Sequence, residues 1–169
     1  MSGGLVKPSR TKGEAGNVVL ELALTLPLFL MLIGGALDLG MLYWNKHVIT
    51  NAGREGVRAA VRAHNDGTGK PEKTTSEVQQ VVQDYLDKFN LKEIDGSRLV
   101  LSSSRFSYTW AVEGTGYLVS VDLSQIPYKM MLLPSAQAIL SGGGWQADPT
   151  MNLKSMTKMT AEWTTPPGS

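Results

Sequence analysis

Gly16-Asn17-Val18-Val19-Leu20-Glu21 opens the segment on which the fold turns, because an uncharged run from Leu22 to Leu37 follows at once. As a helix that run spans roughly 24 Å at ~1.5 Å per residue. Val18 to Leu20 on one side and Gly40 to Trp44 on the other extend it to a full bilayer width, with Glu21 and Asp38 near the two faces. Tyr43 and Trp44 stand where an interfacial aromatic pair belongs. Glu21 is the odd element, since a carboxylate entering a bilayer is costly and is usually kept for a function. The plainer reading of Glu21 is a solvated group at headgroup level.

A secretory signal peptide would have an apolar region of about 7–15 residues and a small-x-small site after it. This run is longer, and Gly35-Ala36-Leu37-Asp38 makes a poor site of that kind. The segment therefore reads as a retained single-pass anchor, and Pro27 within it does not argue otherwise. Lys7, Arg10 and Lys12 precede the span with only Glu14 opposing them, while Lys46, Arg54 and Arg58 follow it. The charge count is close to a tie, but the basic cluster lies nearer on the N-terminal side. The expectation is a cytoplasmic N-terminus, with residues 1–16 a short basic leader that is removed, and the rest exported.

The 169 residues suit one anchor and one modest domain. A net charge of +1 gives no reason to expect a polyanionic partner. The chain has no cysteine, which excludes disulfides, thiol catalysis, thiolate metal sites and lipoprotein acylation together.

Past the membrane the helical spacing continues through Val48, Ala52, Val57, Ala60 and Val61. One helix over 17–63 would be ~70 Å long. Ala52, Gly56 and Ala60 form a small-residue row at i, i+4, i+8 that lets another element approach closely. Packing within the same chain is the commoner use of such a row. Residues 64–75 hold Asn65, Asp66, Gly67, Gly69 and Pro71 and read as a loop. Gly69-Lys70 resembles a phosphate loop only superficially, because His64 stands where the first Gly is needed and Pro71 replaces the Ser/Thr.

Val78, Val81, Val82, Tyr85, Leu86 and Phe89 then fall on one helix face, with Glu77, Gln80, Gln83, Asp84, Asp87 and Lys88 on the other. Ser76 with Gln79 suits a capping box. The apolar stripe predicts a helix laid on a sheet. Arg98 to Trp110 reads as a strand with a bulge, and Glu113-Gly114-Thr115-Gly116 as a turn. Tyr117 to Leu123 alternates as a half-buried strand, and Met151 to Trp163 as a long third strand with a polar outer face. Gln125 to Pro149, with an apolar patch from Met130 to Leu133 and three glycines from Gly142, reads as an irregular loop. Residues 164–169 form a Pro-Gly tail expected to be disordered. The fold class is α+β. A long transmembrane helix continues into a small exported domain over 64–163, with one further helix on an antiparallel sheet of about three strands.

His47 and His64 are the only histidines and lack an acidic partner at metal-ligand spacing. No G-x-S-x-G or H-E-x-x-H motif occurs. The reading is of a protein that is not an enzyme, with neither metal nor cofactor.

Gly16 to Glu21, the apolar run with Leu26-Pro27-Leu28, and Thr50-Asn51-Ala52-Gly53-Arg54-Glu55-Gly56-Val57-Arg58 together resemble the TadE/TadG-like family of pseudopilins, minor components of the tight-adherence (Flp-type) pilus machinery. Asp38 with Gly40 is similar to the acidic and small residues at the span exit in that family. The resemblance covers about residues 13–62 and is weaker beyond, where the closing strands agree only in character. Leu22 stands where the major pilins favour an aromatic residue, which suits a minor pseudopilin better. The resemblance implies cleavage by a prepilin peptidase between Gly16 and Asn17, and pairing of Glu21 with the new α-amino group of Asn17 in the same chain or a neighbour. It further implies a bacterial inner-membrane protein with a periplasmic C-terminal domain. Its partners would be the peptidase, other pilins or pseudopilins and the inner-membrane assembly platform, with entry into an extracellular pilus left open. The alternative from another class is a membrane-anchored exported binding protein or enzyme of unknown substrate.

Overall fold

The computed structural model describes residues 12–132 and 150–167, with side chains from residue 16 onward. Lys7 and Arg10, the Leu133 end of the apolar patch, the glycines from Gly142 and the final Gly168-Ser169 lie outside the described residues. Two helices and three strands follow in the order α1 (Lys12–Ala60), α2 (Thr75–Lys88), β1 (Phe106–Glu113), β2 (Gly116–Lys129) and β3 (Thr150–Thr160). The sheet is antiparallel with order β1-β2-β3. Its inner face and α2 together enclose the upper half of α1.

α1 runs unbroken through Pro27 and leaves the helix at Ala60 rather than Ala63. The ending has a tertiary cause. The Trp163 indole donates to the Ala60 carbonyl at 2.7 Å and the Glu162 amide donates to Val61 O at 2.8 Å, so the last carbonyls of α1 are met from across the fold. Ala63 then bridges to Pro71. Trp163 is therefore not the last residue of a strand, as its place in the alternation suggested. β3 stops at Thr160, and the chain turns so that Trp163 is buried beside Tyr117 and Trp110 at ring distances of 5.0 and 6.5 Å. Beyond it, Thr164 and Thr165 both donate to Gly69 O, which holds the start of the tail on the 64–75 loop.

α2 is capped by Thr74 and Glu77, not by Ser76 and Gln79: Glu77 Oε2 accepts from the Thr74 amide at 2.8 Å, and the Glu77 amide donates to the Thr74 hydroxyl. At its other end Asn90 takes φ 54° and the Leu91 amide reaches back to Leu86 O at 3.2 Å, a left-handed closure that asparagine tolerates. Val78, Val82 and Leu86 are fully buried. Phe89 is 37% exposed and not part of the core; it lies against Tyr85 and edge-on to Trp44 instead.

Residues 98–105 are not strand. Leu99 and Leu101 are buried without a ladder partner, and Gln83 supplies what a strand would. Its side-chain amide donates to Leu99 O at 2.8 Å and its carbonyl accepts from the Leu101 amide at 2.9 Å, while Gln79 donates to Leu101 O at 2.8 Å. Gln83 thus belongs to the buried face, although its polarity placed it on the outer one.

β1 and β2 form a hairpin whose two-residue loop begins with Gly114 at φ 62°, a conformation the strand twist favours and a Cβ resists. β2 is longer than its alternation indicated. It continues to Lys129 by way of a bulge between Leu123 and Ile126, with Gln125 at φ 54°. The bulge resets the period-two pattern, so Leu123, Ile126 and Tyr128 all face the core. Pro127 is accommodated because β1 pairing ends at Leu123 and that side of β2 is an edge there.

Gln83→Ala leaves the Leu99 carbonyl and Leu101 amide buried without partners, and is expected to lower unfolding stability by roughly 2–4 kcal/mol. Gln83→Glu keeps the acceptor but loses the donor and should also destabilise. Urea denaturation of the detergent-solubilised protein, followed by Trp fluorescence, measures both.

Candidate functional site

α1 changes character along its length. From Val18 to Leu39 its large apolar side chains lie exposed on every side, including Leu24, Leu28, Phe29 and Leu32. From Val48 to Ala60 the inward positions Val48, Ile49, Ala52, Val57 and Ala60 are buried in the domain. Apart from the contacts at Gly34 and Asp38, the described residues leave this apolar stretch uncovered, as suits a hydrocarbon solvent. Among the described residues it is the one helix long and apolar enough to cross a membrane, and it fits a single-pass anchor.

At the entrance of that span Gly16, Asn17 and Glu21 are all exposed, and a Cβ on Gly16 would touch nothing within 4 Å. The helix passes through Gly16 without a break. The Glu21 backbone carbonyl accepts from the Thr25 hydroxyl at 2.9 Å. Its carboxylate has no hydrogen-bond or ion-pair partner among the described residues and points outward on the apolar cylinder.

The small-residue row sits on the buried side of the stem. Ala52, Gly56 and Ala60 face the domain, and a Cβ on Gly56 would stand 2.4 Å from Val82 Cγ2 and 3.7 Å from Val121 Cγ1. The row therefore serves the contact of α1 with α2 and β2. Glu55 and Arg58 are exposed on the opposite side and form no ion pair with one another.

Asp38 departs most from its place in the sequence pattern. Read from sequence as a marker near the span exit, it is 0% exposed. Its carboxylate accepts from the backbone amides of Met131 at 3.1 Å and Leu132 at 2.8 Å, and its backbone carbonyl accepts from the Tyr128 hydroxyl at 3.1 Å. Burial and the nearby Asp38 charge both push the Tyr128 phenol up from its ordinary pKa. One turn below Asp38, a Cβ on Gly34 would lie 3.3 Å from Leu132 Cβ. The sequence held two signals for this contact: an apolar patch inside a loop, and a glycine four residues before a carboxylate.

Chemistry beyond packing finds little support. His64 lies 3.6 Å from Asp66, both well exposed, and no group of three His, Cys, Asp or Glu among the described residues can hold a metal ion. The carboxylates held below their usual range each serve local structure: Asp66 accepts from Thr68, Glu77 from Thr74, Asp95 from Ser97, and Asp87 from Arg98. A cleft of about 640 Å³ opens at the base of the domain between Met41, Ile49, Leu91, Ile94, Tyr128 and Met130. Its lining is mostly apolar, and the one acidic side chain in it, Glu93, is paired with Arg105.

The segment that carries the exposed span, Glu21, Asp38 and the small-residue row is also the one that matches a known family: the family model for TadE-like protein covers residues 16–58. These residues are TadE-like. The match likens this stretch, about a quarter of the chain, to TadE-like proteins. It ends within the stem, so α2 and the sheet lie beyond it. No curated protein and no solved structure matches the chain.

Gly56→Val in the TadE-like stem forces new atoms against the stiff, buried Val82 and should lower stability by about 1–3 kcal/mol or more. Gly40→Val, at a position with open space, should leave the domain's melting temperature unchanged. Thermal unfolding of the two variants in the same detergent tests whether the row is a packing face.

Proposed function

We propose that this protein is a minor pseudopilin: a membrane-anchored structural subunit that supports tight-adherence pilus assembly after processing by a prepilin peptidase. The observation that carries the reading is the TadE-like match over residues 16–58 on a helix whose N-terminal half is apolar and largely exposed among the described residues. Such a surface suits lipid before assembly and neighbouring subunits after it. Residues 1–16 are the cytoplasmic leader, 17–63 the anchor and stem, and 64–163 the periplasmic domain. The partners are the peptidase, other pilins or pseudopilins and the inner-membrane platform.

Cleavage falls between Gly16 and Asn17. Gly16 favours it in two ways: no side chain obstructs entry to the protease, and glycine weakens the local helix by about 1 kcal/mol relative to alanine, so the scissile stretch unwinds more readily. The new α-amino group carries a positive charge at neutral pH. Glu21 stands one helical turn away and neutralises it within the chain or in a neighbour. In a low-dielectric bundle that pairing selects one axial register, since an unpaired buried carboxylate is strongly disfavoured. The outward position of the Glu21 carboxylate supports a partner beyond its own domain. The alternative of an anchored binding protein rests on the base cleft, whose single acidic side chain, Glu93, is already paired with Arg105.

The mature protein is expected to begin at Asn17, and Gly16→Leu to keep its leader; N-terminal sequencing of protein from membranes with and without the peptidase decides this. An intact Met1 form in cells that contain the peptidase would refute the processing step.

Glu21→Gln keeps shape and hydrogen bonding but removes the charge. It is expected to insert and be processed normally yet fail to support pili. Pilus counts and membrane-fraction abundance measured in the same strains are the check, and normal piliation would leave a plain anchored domain as the better account.

A further inference from the structure

The anchor is not the sole part of this chain at membrane depth. A span of ~30 Å takes about 20 helical residues. Counted from Asn17 it ends at Ala36, and counted from Leu22 it ends at Met41. On either count Gly34 lies within it. Leu132 packs on Gly34, so the irregular backbone at 130–132 descends beside the helix to that depth. There it presents apolar side chains outward, with Met131 74% and Leu132 52% exposed. On α1 at the same level, Leu37 and Leu39, on either side of Asp38, are exposed as well.

Non-helical backbone is tolerated in hydrocarbon only if its polar groups are met inside the protein. The Asp38 carboxylate meets two of them by accepting from the amides of Met131 and Leu132. The arrangement also solves the reciprocal problem. A carboxylate at the edge of the span is costly unless it is enclosed and hydrogen-bonded, and here the segment covers it completely. Tyr128, aimed inward by the bulge in β2, fixes the start of the segment through its bond to Asp38 O.

We propose that Met131 and Leu132 form a membrane-dipping strap, clamped to the anchor by Asp38, that seats the domain on the bilayer and takes lipid acyl chains as its partner. The proposal rests on the anchor reading. It also gives the domain a fixed height and rotation relative to the membrane, which a helix alone would leave free. Trp44 and Phe89, in edge contact on the same membrane-proximal end, are placed for the headgroup layer.

The absence of cysteine makes single-site labelling direct. Met131→Cys, Leu28→Cys and Ser103→Cys in the full chain each receive a nitroxide and are reconstituted into phosphatidylethanolamine–phosphatidylglycerol vesicles. Relaxation by oxygen, which concentrates in hydrocarbon, is compared with relaxation by a water-soluble nickel chelate. The label at 131 is expected to match the one at 28, with oxygen dominant, and to oppose the one at 103. A water-like label at 131 beside a lipid-like label at 28 overturns the strap while leaving the anchor intact. A 131 label reached by neither reagent, with dipolar broadening, places a second copy on the segment and overturns the lipid assignment. A water-like label at 28 overturns the anchor and the strap with it. Adding Asp38→Ala to the Met131→Cys protein should sharpen the spectrum and shift the label toward nickel. An unchanged spectrum would show that Asp38 is not the clamp.

Discussion

The close approach of α1 to α2 and β2 at Gly56 is the constraint on which the rest of the structure depends. The upper half of the helix can act as the spine of the domain only because no side chain keeps Val82 and Val121 away. With that gap closed, Ala52, Val57 and Ala60 are sealed on one side, and Val78, Val82 and Leu86 on the other. The antiparallel course of α2 then follows. Its middle meets Gly56, and its C-terminal end returns to Trp44 near the membrane. Small residues thus convert a helix that must be greasy below into one that is selectively buried above.

Three long-range polar contacts finish what the apolar packing begins. Trp163 and Glu162 close the top of α1, Gln83 holds the strandless segment at Leu99 to Leu101, and Asp38 gathers the exit of β2 at the bottom. Each meets backbone groups that would otherwise be buried unpaired, a loss comparable to the whole net value of a hydrogen bond or more. They explain why an irregular 98–105 segment and an irregular exit from β2 persist beside a three-stranded sheet. They also join the lower part of α1 to the domain core.

Under the proposed function this arrangement has a use. The outward Glu21 would serve as a register mark at one end of the exposed apolar helix, while the domain would fix azimuth at the other. A subunit that is free to spin about its anchor would present Glu21 to neighbours in every direction. A domain locked to α1 through Gly56 and Asp38 presents it in one.

Local pattern was enough for several features. The uncharged length from Leu22 to Leu37 specifies a span because the bilayer reads length and polarity alone. The period of Val78, Val82 and Leu86 specifies a buried helix face, and the alternation of Tyr117 to Leu123 specifies a strand, because each repeat is a property of a few adjacent residues. The TadE-like segment over 16–58 is legible for the same reason. What only the tertiary structure decided was the partner of each polar group. Gln83 reads as surface and Trp163 as strand, and Asp38 as a boundary. Their hydrogen-bond partners lie 16 to 103 residues away in the chain, and no local periodicity encodes them. A bulge at Gln125 flips the inward face of β2 without any change in composition, and so brings Tyr128 to Asp38. Burial of a polar side chain is set by what folds over it, and that choice is made only when distant segments meet.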